Sequence, residues 1–277
     1  MTERRVVLVT GATDGIGRAT ARALAAGGMK VILHGRTKLK VDAALAALQA
    51  ELPGAELEGV SFDVGSQTAV RRGAEQILAR VPALHVLINN AGIYADERVI
   101  TDDGVELTFA VNYLAPFLLT ELLAPRLEAS ATAGPSPVPS RVIDVASVAH
   151  TRGRIHIDDL TLAAAWTGYA AYAMSKLACV MHAMTLAEKR RPEALVAYAV
   201  HPGVIATKLL RQGFGPVAGA STEDGARTLV RLAGEDQVTA PSGSYFSDGV
   251  QAQPAPAARD AAMRAALWDA SLRLARL

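Results

Sequence analysis

Val6-Val7-Leu8-Val9-Thr10-Gly11-Ala12-Thr13-Asp14-Gly15-Ile16-Gly17-Arg18 is the stretch that decides the fold. Its apolar, β-branched start predicts a buried strand over 6–10. The Ala-rich stretch over 16–26 predicts a helix, and Gly27-Gly28 supplies its C-terminal stop. A second β-rich run, 30–34, predicts another strand. Strand, glycine turn, helix and strand make a βαβ unit. Glycines in the turn let the backbone bend tightly and approach a pyrophosphate, which then lies at the positive end of a helix. The spacing is Gly-x-x-x-Gly-x-Gly, not Gly-x-Gly-x-x-Gly. In isolation it would pass for an ordinary glycine-rich turn. Its place between the first strand and the first helix carries the dinucleotide reading.

Working outward, strands and helices go on alternating. Helices are predicted over 38–52, 67–80, 103–128, 170–189, 222–233 and 257–277. Strands are predicted over 56–62, 84–89, 141–145, 195–200 and 244–246. That alternation implies an α/β fold, a Rossmann-type doubly wound parallel sheet of about seven strands with helices on both faces. The 277 residues fit one such domain, with a cofactor part over about 5–150, a catalytic and substrate part over about 141–250, and a closing helix. The three prolines of 131–140 mark an exposed loop within it.

Composition narrows the function. Hydrophobic residues make up 51% and charged residues 20%, and the formal net charge is +1, so nothing points to nucleic acid or an anionic membrane surface. The lone Cys179 excludes an intrachain disulfide and, in an apolar helix, reads as a buried structural thiol. No apolar run is expected to reach the roughly 18–20 residues of a membrane span. The first residues are too short for a signal peptide, so a cytoplasmic protein is the expectation. The six histidines form no i,i+4 pair and no compact set with Cys or acids, so no metal is expected.

The chemistry points to Tyr172-Ala173-Met174-Ser175-Lys176. Four residues apart on a helix, Tyr172 and Lys176 project side by side. An ammonium beside a phenol favours the phenolate, so such a pair can exchange a proton with a substrate oxygen near neutral pH. A Tyr-x-x-x-Lys spacing alone is common on amphipathic helices; the rest of the chain gives it weight. At the end of the second strand His34-Gly35-Arg36-Thr37 offers no carboxylate for a ribose hydroxyl. Arg36 could pair with a 2′-phosphate, with Arg18 in reach, so NADP(H) is preferred over NAD(H). The fourth strand runs into Asn89-Asn90-Ala91-Gly92, small and amide residues where open parallel sheets bind ligands. Asn112, in the middle of a helix, needs a partner.

Together these motifs resemble the short-chain dehydrogenases/reductases. The matching residues are Thr10-Gly11-x-x-x-Gly15-x-Gly17, Asp63-Val64, Asn89-Asn90-Ala91-Gly92, Asn112, Ser147, Tyr172-x-x-x-Lys176, and Pro202-Gly203 with Thr207. Stretches such as 112–120, Asp158-Asp159-Leu160 and 242–246 are similar to the retinol-dehydrogenase-like branch. The chain is expected to depart from many of that branch in having no N-terminal membrane anchor, and Ala146 stands where a Ser is common. The resemblance implies Tyr172 as acid/base, Lys176 on the nicotinamide ribose, Ser147 on the substrate oxygen and Asn112 on a proton-relay water. It places Thr10, Gly11, Thr13, Asp14, Gly15, Ile16, Gly17 and Arg18 around the pyrophosphate. Asp63 and Val64 are expected at adenine, Asn90, Ala91 and Gly92 beside the ribose, and Pro202, Gly203, Val204 and Thr207 along the nicotinamide.

The implied reaction is hydride transfer between nicotinamide and a carbonyl or alcohol. The loops 93–99, 148–168 and 205–219 would set specificity. Leu209, Leu210, Phe214, Pro216 and Val217, with Tyr94, Trp166 and Tyr169, suggest a medium-sized, apolar substrate, and Arg152, Arg154 and Arg211 are the cations within reach. His150 and His156 lie in the second loop, expected mostly in solvent. Homodimers or homotetramers could form through the helices over 103–128 and 170–189, unless the closing helix caps the fold instead. An NADP(H)-binding sensor or scaffold without turnover, or a same-fold epimerase or dehydratase, are the other readings.

Overall fold

Strands β1 (Val6–Val9) and β4 (Val86–Asn89) are buried along their whole length, because helices cover both faces of the sheet they centre. The computed structural model describes residues 4–131 and 138–277. Most of the Pro-rich loop predicted over 131–140 therefore lies outside the described residues. The other strands are β2 (Lys30–Gly35), β3 (Leu57–Ser61), β5 (Ser140–Val145), β6 (Leu195–His201), β7 (Tyr245–Ser247) and β8 (Val250–Ala252). They form one sheet of order β3-β2-β1-β4-β5-β6-β7-β8, parallel throughout except that β8 runs antiparallel to β7. β1 is flanked by β2 (Val9 opposite Leu33) and β4 (Val7 opposite Val86), so the strand order reverses there. A crevice at the carboxyl ends of β1 and β4 is the consequence.

Alternation along β1 divides the core. Val7 and Val9 join Leu24, Leu33 and Leu229 on the face covered by α1 (Gly15–Ala26), α2 (Lys38–Glu51) and α8 (Thr222–Gly234). Val6 and Leu8 join Ile77, Phe117 and Leu177 on the face covered by α3 (Gln67–Arg80), α5 (Ala115–Ser130) and α6 (Gly168–Lys189). Side-chain caps fix the starts: Asp14 for α1, Thr37 for α2, Ser66 for α3, Thr167 for α6 and a Ser221/Asp224 capping box for α8.

The sheet's eight strands agree with the expected doubly wound parallel sheet of about seven, while the helix expectations need correcting. The extra strand is β8, reached through Asp248 (φ 50°) and Gly249 (φ 87°), and Asp-Gly is the signal for such a two-residue hairpin. The helix predicted over 103–128 is three pieces. Glu106, fully buried, accepts from the Phe109 amide and starts α4 (Leu107–Phe109); a π-helical stretch (Ala110–Leu114) then leads into α5. Pro116 has no N–H for the Asn112 carbonyl, and the Cys179 thiol donates to that oxygen instead, at 3.1 Å. Burial pushes the Cys179 thiol up to about 12, which keeps it a donor. By length and composition alone, residues Leu107–Ala129 could cross a membrane, but 83% of their most apolar window is buried inside the protein.

The closing helix is α9 (Ala261–Ala275), capped by Asp260 and preceded by a 3-10 turn at Pro256–Arg259. It lies on α5 and α6. The Trp268 ring is 5.0 Å from Phe117, is stacked on His182 at 6.2 Å, and carries the Lys189 ammonium at 5.0 Å. Ser271 bonds the Tyr113 hydroxyl at 2.7 Å, in the π-helical stretch. The chain's own helix thus occupies part of the surface through which pairing of copies was expected. Trp268→Ala should cost about 3 kcal/mol or more in urea unfolding, the usual toll of emptying a buried indole site. A loss below about 1 kcal/mol would mean that α9 does not close this side of the core.

Candidate active site

The turn between β1 and α1 is clasped to the turn after β4. The Thr10 hydroxyl donates to the Ile88 carbonyl (3.3 Å) and accepts from the amides of Asn90 (2.9 Å) and Ala91 (3.0 Å). The Asn90 side-chain amide donates back to the carbonyls of Thr10 (2.8 Å) and Gly11 (3.2 Å). The turns are so close that a Cβ on Gly11 would lie 2.9 Å from the Ala91 Cα. One on Gly17 would lie 2.3 Å from the Gly11 carbonyl oxygen. Gly11 also adopts φ 64°, where only glycine is at ease.

Beneath this clasp sits His34, whose role the sequence reading missed. Its Nδ1 accepts from the Gly11 amide (3.3 Å) and its Nε2 donates to the Phe62 carbonyl (2.9 Å). Those bonds fit only the neutral ring, and burial pushes the His34 pKa down to about 4. Nothing in the sequence beyond a histidine at a strand end marks it.

Around the clasp opens a cleft of about 1730 Å³ at the carboxyl edge of the sheet. Every predicted catalytic and cofactor-binding residue lines it except Thr10 and Asn112. Thr10 (3% exposed) holds the turn from behind, and Asn112 (2% exposed) sits under Gly92, its Oδ1 3.3 Å from where a Cβ on that glycine would be. At the other end of the turn, Asp14 caps α1 and pairs with Lys208, whose hydrogen bond is the main reason its carboxyl lies below the usual range. Of the two predicted phosphate cations, Arg18 is held by Glu51 at 3.1 Å, whereas Arg36 is exposed and makes no ion pair among the described residues. Lys40 and Arg22 line the same corner. A Cβ-excluding glycine turn at a helix N-terminus, with the exposed Arg36 beside it, fits the phosphates of a dinucleotide.

The chemical end of the cleft is built from three elements. Tyr172 and Lys176 sit one turn apart on α6, both buried, with the ammonium 5.7 Å from the phenol ring centroid. Lys176 donates to the Val145 carbonyl at 2.7 Å, which ties it to the end of β5. Ser147, just beyond, caps a 3-10 turn (Val148–Arg152), its oxygen accepting from the Ala149 amide at 3.2 Å. The Tyr172 hydroxyl makes no hydrogen bond among the described residues. Asn112 has the partners its position demanded: the Ile93 amide (2.8 Å) and carbonyl (3.0 Å), and the Ser175 hydroxyl (3.0 Å).

Aromatic rings enclose the space over Tyr172. Tyr94 lies 5.7 Å from it and Phe214 5.9 Å, and those two are 5.6 Å apart; Tyr169 is 6.3 Å from Phe214. Phe214 ends α7 (Lys208–Phe214), a helix capped by Thr207 where the sequence suggested only an apolar loop. Of the other residues expected at the substrate side, Trp166 instead donates to buried Glu106 (3.1 Å), and Trp166, Arg154, Pro216 and Tyr94 do not themselves line the cleft. His150 is buried, not in solvent, while His156 is exposed.

The neutral His34 has a measurable consequence. In the unfolded chain it titrates near its ordinary value of 6.5, and in the folded chain near 4, so below 6.5 the unfolded chain takes up the proton first. Its contribution is complete above pH 6.5 and falls by on the order of 3 kcal/mol as pH drops to about 4. His34→Gln should unfold in urea with a shallower acid-side slope than the parent; identical slopes would show that His34 is not held neutral.

Comparison with known proteins bears on this geometry. The short chain dehydrogenase family model matches residues 5–214, from β1 through α7. Mouse polyprenol dehydrogenase is 37% identical over 98% of this chain and 83% of its own length, and bovine retinol dehydrogenase 12 is 37% identical over 98% and 86%. Among solved structures, an uncharacterized protein of Mycobacterium Paratuberculosis superimposes with TM-score 0.80 at 32% identity, covering 98% of this chain and 93% of that one. A short chain dehydrogenase of Escherichia coli CFT073 complexed with NADPH gives TM-score 0.72 at 25% identity, covering 89% and 97%. A match that takes in both the glycine turn and the Tyr172 helix, with relatives similar over nearly the whole chain, makes this protein a member of the short chain dehydrogenase family, similar to its retinol dehydrogenases.

Proposed function

We propose that the protein is an NADP(H)-dependent oxidoreductase that interconverts a carbonyl and an alcohol on a medium-sized, mostly apolar substrate. The observation that carries this reading is the buried Tyr172–Lys176 pair, with its phenol hydroxyl unpartnered, facing the same cleft as the glycine turn. The glycine turn and the α1 N-terminus would hold the pyrophosphate, Arg36 a 2′-phosphate, and Lys176 the ribose next to the nicotinamide. When bound, the nicotinamide supplies or accepts the hydride.

The protein's own part is to place the substrate oxygen and move a proton. Ser147 has an O–H to spend, since its oxygen only accepts from Ala149, and it orients the substrate oxygen. Tyr172 gives that oxygen a proton in reduction and takes one in oxidation. Lys176, held by the Val145 carbonyl, keeps a positive charge beside the phenol. Asn112 joins the loop at Ile93 to Ser175 on α6 and so sets the floor of the site. Tyr94, Tyr169 and Phe214 exclude water and favour an apolar body on the substrate. The polyprenol and retinol dehydrogenases among its relatives support an alcohol or aldehyde on an apolar chain, and the NADPH-bound structural relative supports the cofactor.

Two measurements decide the reading. Consumption of NADPH over a panel of ketones and aldehydes should fall by about 10²- to 10⁴-fold in Tyr172→Phe, the usual span for a lost acid/base group. NADPH binding that persists with no turnover in the parent would favour a sensor. Arg36→Ala should raise the KM for NADPH roughly 10- to 100-fold, since a charge-assisted bond to phosphate contributes about 1.5–3 kcal/mol, and leave NADH use unchanged. Better turnover with NADH than with NADPH in the parent would remove the assignment of Arg36.

A further inference from the structure

Ser147 reaches the cleft from the end of β5, and its orientation depends on the 3-10 turn that it caps. Within that turn His150 is 2% exposed. Its Nδ1 lies 2.7 Å from the Ser147 carbonyl oxygen, and its backbone amide donates to the same oxygen at 3.1 Å. On the far side of the ring, Nε2 accepts from the Ala255 amide at 3.1 Å. That amide can only donate, so Nε2 carries no proton and Nδ1 must carry one. The ring packs on Tyr245 of β7, centroids 4.8 Å apart. Burial lowers the His150 pKa, against the pull of the Ser147 carbonyl, which suits a neutral ring with one donor and one acceptor.

Both ends of this bridge matter. Ala149, next to His150, packs with Tyr172 and Ala173 in a small cluster of its own. Gly153 closes the turn so near α6 that a Cβ there would lie 2.4 Å from the Ala173 carbonyl oxygen. Ala255 leads into the 3-10 turn before α9, and α9 is anchored on α5 and α6 through Trp268 and on the π-helical stretch through Ser271. Ala255 also lies beyond residues 5–214, where the family match ends.

We infer that His150 is a positioning residue: as a neutral, doubly bonded imidazole it locks the Ser147 backbone to the segment leading into α9, and so fixes where the Ser147 hydroxyl meets the substrate oxygen. The role of Ser147 rests on the proposed oxidoreductase activity; the brace itself does not.

Three substitutions separate the two bonds. His150→Phe keeps the packing on Tyr245 and loses both. His150→Asn restores a donor one bond from Cγ, toward Ser147. His150→Gln reaches farther, toward Ala255. The Phe variant should lose roughly 10- to 100-fold in kcat, as a misplaced reactive group does, with its Kd for NADPH within about twofold of the parent. Asn should recover most of kcat, and Gln should not. In hydrogen exchange, peptides over 147–153 and 255–260 should both lose protection in the Phe variant, with Gln restoring the second. The inference is overturned if the Phe variant keeps its kcat, or if Asn and Gln lose kcat equally and in step with their melting temperatures. If the parent turns over no carbonyl, the proposed activity fails, and exchange still decides the brace: unchanged protection at 147–153 in the Phe variant rejects it.

Discussion

Everything at the cleft depends on two turns being pressed together. Thr10 and Asn90 exchange hydrogen bonds across the point where the strand order reverses, and the gap between them is too small for a Cβ at position 11 or 17. This constraint explains why glycine stands at both positions, why the start of α1 lines an open crevice, and why His34 has to be neutral. A protonated ring would turn a donor toward the Gly11 amide and lose the bond that supports the turn from below. The substrate end relies on a second such economy. Pro116 leaves the Asn112 carbonyl without its helical donor, the helix widens into a π-helical stretch, and the displaced Asn112 side chain spans from the Ile93 backbone to Ser175.

The polar side chains of the site are mostly engaged with neighbouring backbone. Lys176 is held by Val145, Asn112 by Ile93, and Ser147 accepts from Ala149. Among the described residues, the Tyr172 hydroxyl, the proton on Ser147 and the exposed guanidinium of Arg36 remain unengaged. A preorganised site of this kind has little left to reorganise when charge shifts during a reaction.

Much of this was legible in the sequence, and for identifiable reasons. Strand–helix alternation gave the layered α/β architecture, since apolar β-branched runs bounded by glycine and caps have few other ways to fold. Tyr172 and Lys176 could be paired because helical periodicity is regular. Other features had no such signature. The break in the 103–128 helix follows from one proline and one buried glutamate, each readable only once its partners, Cys179 and Trp166, are known to be near. His34 and His150 looked like a strand-end residue and a loop residue; their meaning comes from acceptors and donors far away in the chain, at Phe62, Gly11 and Ala255. α7 carries no buried residue and is defined by its Thr207 cap, so an apolar loop was the natural reading.

The position of β1 has a kinetic side. Its first neighbour, β2, follows closely, but the second is β4, and Val7 must find Val86, a separation of 86 − 7 = 79 residues. Contacts so distant form slowly, because a long loop has to close before any bond rewards it. Whenever β1 is not paired with β4, Val6–Val9 is an open, wholly apolar edge, the kind of strand to which another chain adds. The arrangement that creates the crevice in the finished molecule is therefore also a strand edge open to aggregation whenever β4 is not yet paired.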